Sequence, residues 1–526
     1  MACLFALVAG MAYPQITTSQ YDNARTGANL HETVLTPKNV NFKLFGKIGK
    51  FDVDGDVYAQ PLYLPQLEIR GKGTQDVLFV ATEGDSVYAF DASGKTTKPL
   101  WHARFTDAAA GITTVSSSSD EADCDFIQPQ VGITSTPVID TETGTLYVLA
   151  RTKERDARGK DGFWQRLHAL DVHTGNEKFG GPVAISASIN GPASLFGLLH
   201  DTVTFSPLRE NPRAGLTLVN GQLVLTWGSS CDIGPYHGWI LTYNPHTLKQ
   251  ISVFNTSPDT ADSGIWQADA APAVDSQGNI YVSTGNGVFT AAHGGRDYGD
   301  SVLKLATTRN GPILRNFFTP YNQEELSRND LDLGSGGPLV VPPHADDKGH
   351  LLIVGGKSGA IYVLDRNHLG GYRPTDNDQI LETLQCGAAS FGAPAYWNGH
   401  IYYLCSGDVL KDFLIERGRL SLARTADPAV PFNGLGATPT ISANGAKNGL
   451  VWAVECPGSG TSLAILHAYD AENVSNELYN SNQSSRDYAG RAIRFTIPTV
   501  ASKRVYVGTK GEVDVYGLLL EGKNIK

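Results

Sequence analysis

The chain has 526 residues with a net charge of −11 and no Lys/Arg-rich run, which argues against a nucleic-acid surface. Charged residues make up 18% and Gly is abundant, which suits many short strands joined by tight turns. No stretch approaches the ~18 apolar residues needed to span a bilayer.

The N-terminus, "MACLFALVAGMAYPQ", carries a short apolar run with small residues at Gly10-Met11-Ala12. It reads as the apolar core of a secretory signal over residues 1–12 that lacks its basic start. The chain is therefore expected to be exported, secreted or periplasmic, with residues 13–526 as one domain. Leaving Cys3 with the leader, the cysteines are Cys124, Cys231, Cys386, Cys405 and Cys456. None forms CxxC or CxxCH, which excludes an attached c-type haem and a thioredoxin-like motif. One or two disulfides suit an oxidising compartment. Asn255, Asn473 and Asn482 head glycosylation sequons, relevant in a eukaryotic host.

After a strand at 44–53, "LFGKIGKFDV", one phrase recurs: small residues, Pro or an apolar strand, a turn, a strand, a hairpin, a strand ending near Asp. It begins with "AQPLYL…DVLFVATEGDSVYAFD" and continues through "STPVIDTETGTLYVLARTKE" and "GLTLVNGQLVLTWGSS". "AAPAVDSQGNIYVSTGNG", "GGPLVVPP…LLIVGGKSGAIYVLD" and "GAPAYWNGHIYYL" follow. "ATPTISANG…LVWAVE" and "TIPTVASKRVYVGTKGEVDVYGL" complete eight units. Recurrence at this scale marks a propeller or solenoid. The last unit stops after three strands, and the first is preceded by a spare one. The pattern therefore predicts an all-β, eight-bladed propeller of four-stranded antiparallel blades, with the N-terminal strand completing the eighth and closing the ring. Segments 151–164, 185–212 and 289–300 are insertions expected to cover one face.

In such a ring, the loops entering the inner strands and the hairpins of the middle strands gather at one mouth of the central channel. The polar candidates there are Asp232 and His237 in "GSSCDIGPYHGW", Trp266, Gln267 and Asp269 in "IWQADAAP", and Asn286 in "TGNG". Asp330 and Asp332 in "NDLDLGSGGP" and Lys357 in "GGKSGAIYVLD" complete the set. Ca²⁺ prefers carboxylate and amide oxygens, which Asp232, Asn286 and Asp332 supply. A neighbouring carboxylate can act as base, and a lysine can polarise a carbonyl or neutralise an anion. Each residue has a plainer reading too. Asn286 between glycines suits a tight turn, Lys357 a solvated hairpin, the two aspartates a loop cap, and His237 a hydrogen-bonded structural position. Trp266 can serve as a stacking plate. Cys124 and Cys231 fall in mouth loops of adjacent blades, where a disulfide between them is expected.

Four of these segments resemble quinoprotein alcohol dehydrogenases, eight-bladed propellers that hold pyrroloquinoline quinone (PQQ) and Ca²⁺ in the channel. "IYVSTGNG" is similar to that family's calcium-ligand hairpin, which implies a metal role for Asn286. "GGKSGAIYVLDR" resembles the strand whose Lys contacts the quinone, here Lys357. "NDLDLGSGGP" resembles the segment with the catalytic base, here Asp330. "GSSCDIGPYHGWILTYN" resembles the segment with a carboxylate calcium ligand, here Asp232. The resemblance implies a dehydrogenase of alcohols or sugars that passes electrons to an external acceptor. Trp266, Gln267 and Asp269 would then lie against the cofactor. The chain departs from the family in lacking two adjacent cysteines, in having Asn329 where a Trp precedes the catalytic aspartate, and in placing Asp269 rather than Trp266 in step with Asp275. Two other readings fit a propeller of this kind. One is a cofactor-free binding or scaffold protein. The other is a carbohydrate hydrolase or lyase, with His237 and a mouth carboxylate as acid and base.

Overall fold

The computed structural model describes residues 14–124, 126–195, 198–343, 350–458 and 461–519. The leader predicted at 1–12 lies outside the described residues. Eight small antiparallel sheets follow one another around a ring, as the repeats predict. The first blade is Leu62–Ile69, Gly73–Thr82, Ser86–Asp91 and Trp101–Arg104. Its third strand, SVYAFD, is buried at all six positions. Middle strands carry near-continuous apolar runs because both of their faces pack on neighbouring blades.

Closure follows the predicted device. Phe45–Asp52 pairs antiparallel with Glu512–Leu518, so the eighth blade takes its outer strand from the N-terminal part of the chain. Phe45 then packs among Trp452, Tyr479 and Tyr516, with ring centroids 5.0–6.4 Å away.

Residues 16–29, upstream of the closing strand, form a hub that touches the inner strand of every blade. Ile16 exchanges two backbone hydrogen bonds with Tyr63 in the first blade. The carbonyl of Thr17 accepts from Ile139 N in the second, and Arg25 Nη2 donates to Thr217 Oγ1 in the third. Carbonyls of Asn23, Ala24, Thr26 and Gly27 accept from Val274, Val340, Tyr396 and Ile441 in the fourth to seventh. The Tyr21 hydroxyl accepts from Val500 N in the eighth. Inner strands are edges whose backbone groups need partners once water is excluded. The hub supplies those partners and fills the channel at that level.

The segment between the first and second blades is a further insertion. It adds Ile112–Ser116 to the edge of the second blade and carries Cys124, which bonds Cys231 in the third blade's hairpin with Cα atoms 6.0 Å apart. A second disulfide joins Cys386 and Cys405, while Cys456 is a buried thiol. The Cys124–Cys231 link spans 107 residues, so the closed-loop entropy is large. Cys124→Ser is expected to cost about 2–4 kcal/mol, read as a lower denaturation midpoint under non-reducing conditions. A midpoint equal to wild type would mean that the bridge adds nothing to the fold.

Candidate active site at the channel mouth

A cavity of about 370 Å³ lies at the mouth and is lined by residues of several blades. Its walls include Asp232, Trp266, Ala268, Asp330, Asp332 and Lys357, together with Arg213, Ser335, Leu435, Arg494 and the rings of Phe126, Phe391 and Phe495. Residues 16–29 are not among these walls; their contacts lie further along the channel. Along each of six inner strands, the lining residue comes first and the hub contact four to six residues later: Arg213 then Thr217, Ala268 then Pro272, Ser335 then Val340, Phe391 then Tyr396, Leu435 then Ile441, Arg494 then Val500. An extended chain covers roughly 13–20 Å over that interval.

Five of the nine predicted site residues line this cavity, and a sixth binds two of them. Asn286 donates from its backbone N–H to Asp332 Oδ1 at 2.7 Å and from Nδ2 to Asp330 Oδ1 at 2.7 Å. Lys357 Nζ lies 3.0 Å from Asp330 Oδ1 and 2.5 Å from Asp332 Oδ2, and its N–H donates to the Asp332 carbonyl. Asp332 is buried, whereas the Asp330 side chain is 73% exposed. The glycines around Asn286 answer to space. A Cβ on Gly285 would lie 2.2 Å from Asp332 Oδ1 and 2.8 Å from the Trp266 ring, and one on Gly287 would lie 2.1 Å from Ser263 Oγ. Gly228 and Gly264 press on the same indole, so Trp266 sits in a glycine cradle with Tyr236 edge-on at 6.1 Å.

Backbone strain concentrates here. Cys231, Asp232, Gln267, Ala268 and Asp330 all have φ between 40° and 59°. Non-glycine residues visit that region rarely, and clusters of them mark sites where the fold holds side chains in set directions.

The electrostatics are dominated by carboxylates. Burial, and then the charge of Asp332, push Asp232 above the ordinary carboxylate range. Burial with Asp232 and Asp332 does the same to Asp262, and burial with Asp332 raises Asp300 well above it. Burial pulls the Lys357 ammonium down, but Asp332 and Asp330 outweigh it and hold it above its usual value. The Asn286 Oδ1 acceptor is buried with no donor. An orphaned amide oxygen beside an excess of carboxylates fits an oxygen-seeking cation. Among the described residues no group of three or more His, Cys, Asp and Glu side chains is set to hold a metal ion, so the Asn286 oxygen would have to join the expected ligands Asp232 and Asp332. The cradled Trp266 face and the size of the cavity fit a small planar ligand, since such sites start at about 300 Å³. The bridge Cys124–Cys231 lies two residues from Phe126 and next to Asp232, and so braces two lining residues. Glu121 reinforces it, paired with buried Arg151 at 2.7 Å and hydrogen-bonded by Ser230.

His237 and Gln267 stand apart from the cavity walls, and the Asp269 side chain lies outside what the structure describes. His237 is buried, with Nδ1 3.1 Å from the Ser257 carbonyl and its N–H donating to Glu210. Burial lowers its pKa to about 4, so the ring is neutral over the physiological range. Gln267 is fully buried, with both side-chain polar atoms lacking partners. Asp269 ends the short 3-10 turn Gln267–Asp269 that enters the fourth blade. Among the described residues, none of the insertions 151–164, 185–212 and 289–300 supplies a lining residue; Phe126, from the segment between blades one and two, does. Sequence reasoning missed Arg213, Arg494 and the three phenylalanines; Phe391, Arg494 and Phe495 stand three or four residues before the Pro that opens an inner strand, while Arg213 and Phe126 carry no such mark.

No protein-family model matches the chain. No curated protein matches it. Among solved structures, it is similar to the quinohemoprotein alcohol dehydrogenase ADHIIG of Pseudomonas putida HK5, at 13% identity and a TM-score of 0.61, covering 98% of this chain and 82% of that one. It is also similar to a europium-containing methanol dehydrogenase, at 13% identity and a TM-score of 0.58, covering 96% and 98%. At such identity the likeness is one of fold. The chain is thus a divergent eight-bladed propeller with the architecture of the quinoprotein dehydrogenases.

Proposed function

We propose that this propeller is an exported, quinone-dependent dehydrogenase of hydroxyl compounds. The observation that carries the reading is the convergence of Asp232, Trp266, Asp330, Asp332 and Lys357 on one cavity, with the unpartnered Asn286 Oδ1 beside them. The fold shared with two quinoprotein dehydrogenases supports it, as do two disulfides, which suit an oxidising compartment. Among the described residues, no helix is long and apolar enough to cross a membrane.

In this reading, Asp232, Asn286 and Asp332 hold Ca²⁺, Trp266 supplies the flat face, and Lys357 balances negative charge. PQQ, when bound, supplies the two-electron oxidant. The chain's own task is to place the substrate hydroxyl and take its proton. Asp330 Oδ1 is occupied by Asn286 Nδ2 and Lys357 Nζ, which leaves Oδ2 open toward the cavity. A carboxylate held by one oxygen presents the other in a set direction, as a general base requires. Electrons then leave to a separate acceptor.

Calorimetric titration of PQQ into the protein with Ca²⁺ tests the reading. One-to-one binding is expected, lost in the Asn286→Ala/Lys357→Ala double variant and after chelation. Absence of binding by the wild type would retire the dehydrogenase reading.

A further inference from the structure

The wall facing the carboxylates has the opposite charge. Arg213 lines the cavity at 7% exposure, and its Nε has no hydrogen-bond partner. Among the described residues, no carboxylate pairs with its guanidinium. The group lies over the Phe495 ring at 5.5 Å, and Arg494 lies over Phe126 at 5.7 Å. Phe495 and Arg494 enter the eighth blade, diametrically across the ring from the fourth, which carries Trp266 and Asn286. Arg213 enters the third blade, yet its side chain reaches the eighth blade's phenyl ring. The cavity is therefore bipolar, with acids on one side and phenyl-backed guanidiniums on the other.

A buried, unpaired guanidinium is costly unless an anion meets it. Its planar donors match a carboxylate in particular, and the phenyl backing keeps them flat. We propose that Arg213, assisted by Arg494, binds the carboxylate of the substrate, so that the substrate class is hydroxycarboxylates. The hydroxyl end then points to Asp330 and the carboxylate end to Arg213. The apolar body lies against the phenyl rings between them. The inference rests on the dehydrogenase reading for the hydroxyl end only; the anion site stands on Arg213 itself.

The test uses benzoate, a carboxylate that cannot be oxidised as an alcohol, with benzyl alcohol as its neutral counterpart. Calorimetry on the wild type should show benzoate binding at least about tenfold tighter than benzyl alcohol, the usual scale for one charge-assisted hydrogen-bonded pair. Arg213→Met should erase the preference, and Arg213→Lys should restore part of it, which a merely misfolded variant would not do. No preference in the wild type would overturn the proposal. PQQ is itself a carboxylate, so it is titrated into wild type and Arg213→Met with Ca²⁺. Unchanged PQQ affinity, with benzoate still binding to the loaded protein, supports a substrate site. Loss of PQQ affinity in the variant, with PQQ blocking benzoate, would assign Arg213 to the cofactor and overturn it. If the wild type binds benzoate but no PQQ, the dehydrogenase reading fails while the anion site stands.

Discussion

Asp330→Asn should lower dye-linked turnover of an accepted hydroxyl substrate by about 10²–10⁴-fold, the usual loss on removing a general base, with PQQ affinity unchanged within about threefold. The expectation follows from how the two neighbouring aspartates differ. Asp332 is buried and takes one hydrogen bond from the backbone of Asn286 and one from Lys357, so both of its oxygens are engaged. Asp330 is exposed, held in the left-handed region at φ 55°, and engaged through Oδ1 alone. Asparagine preserves the acceptor at Oδ1 and tolerates that backbone conformation, since Asn is among the residues most often found there. The replaced Oδ2 is the atom that would take the proton. The loss should therefore fall on kcat with KM little changed. The same change at Asp332 should weaken cofactor and Ca²⁺ binding first. Turnover of Asp330→Asn within tenfold of wild type would remove Asp330 as the base and leave it a partner of Lys357.

The ring and its closing strand are legible in the sequence because each blade repeats one hydrophobic phrase, and because a spare strand at one end matches a missing one at the other. Asp232, Asn286 and Lys357 are legible for a related reason: each breaks a strand phrase where an apolar run gives way to small residues and one polar residue, while Asp330 is legible only through the small-residue start of the blade that follows it. The guanidinium wall has no such local mark. Arg213 and Arg494 lie 281 residues apart, and ordinary surface arginines look the same until the ring closes. The Cys124–Cys231 pairing could be reasoned from blade adjacency, but not its place beside Phe126 and Asp232. His237 stands out in the sequence through its setting among Tyr236, Gly238 and Trp239, which leaves both a catalytic and a hydrogen-bonded structural reading open. The same aromatic neighbours that make it conspicuous also bury it, with its ring against Ser257. The hub is the largest omission. "ITTSQYDNARTGAN" shows neither helical nor strand periodicity, because its backbone bonds to six separate strands, and its Arg25 and Tyr21 side chains to two more, rather than to one ladder. No period-2 pattern can arise when successive residues face different blades.

That hub sets the second large expectation: Arg25→Met should destabilise the protein by about 3–5 kcal/mol, the cost of breaking a buried charged network. Arg25 is fully buried, and burial lowers its pKa to about 9, with nearby Asp22 opposing the shift. Its Nε donates to the Pro272 carbonyl at 3.0 Å; Nη1 donates to Thr18 Oγ1 and to the carbonyls of Ser19 and Asp22; Nη2 donates to Thr217 Oγ1 at 2.7 Å. One side chain thus folds residues 18–22 into a turn and fastens that turn to the third and fourth blades. Methionine has similar reach and fills the space, but it withdraws five donated hydrogen bonds in a dry environment, where each orphaned group costs about 1–3 kcal/mol; the Asp22 carbonyl keeps the Arg25 N–H, and the Pro272 carbonyl the Thr217 hydroxyl. Not every lost bond bears its full cost, because some acceptors keep another donor and the turn can relax, so the total lies at or below the lower end of the simple sum. The loss should appear as a lower denaturant midpoint. It should also appear as faster hydrogen exchange at Val274, Val340, Tyr396 and Ile441, whose N–H groups bond to the hub. Exchange is the sharper reading, since it separates a loosened hub from general destabilisation. Blade-edge amides such as those of Arg419–Thr425 should keep their wild-type rates relative to the global opening. If all of these amides accelerate alike, or the midpoint stays within experimental error of wild type, Arg25 does not organise the hub, which is then held by its backbone bonds alone.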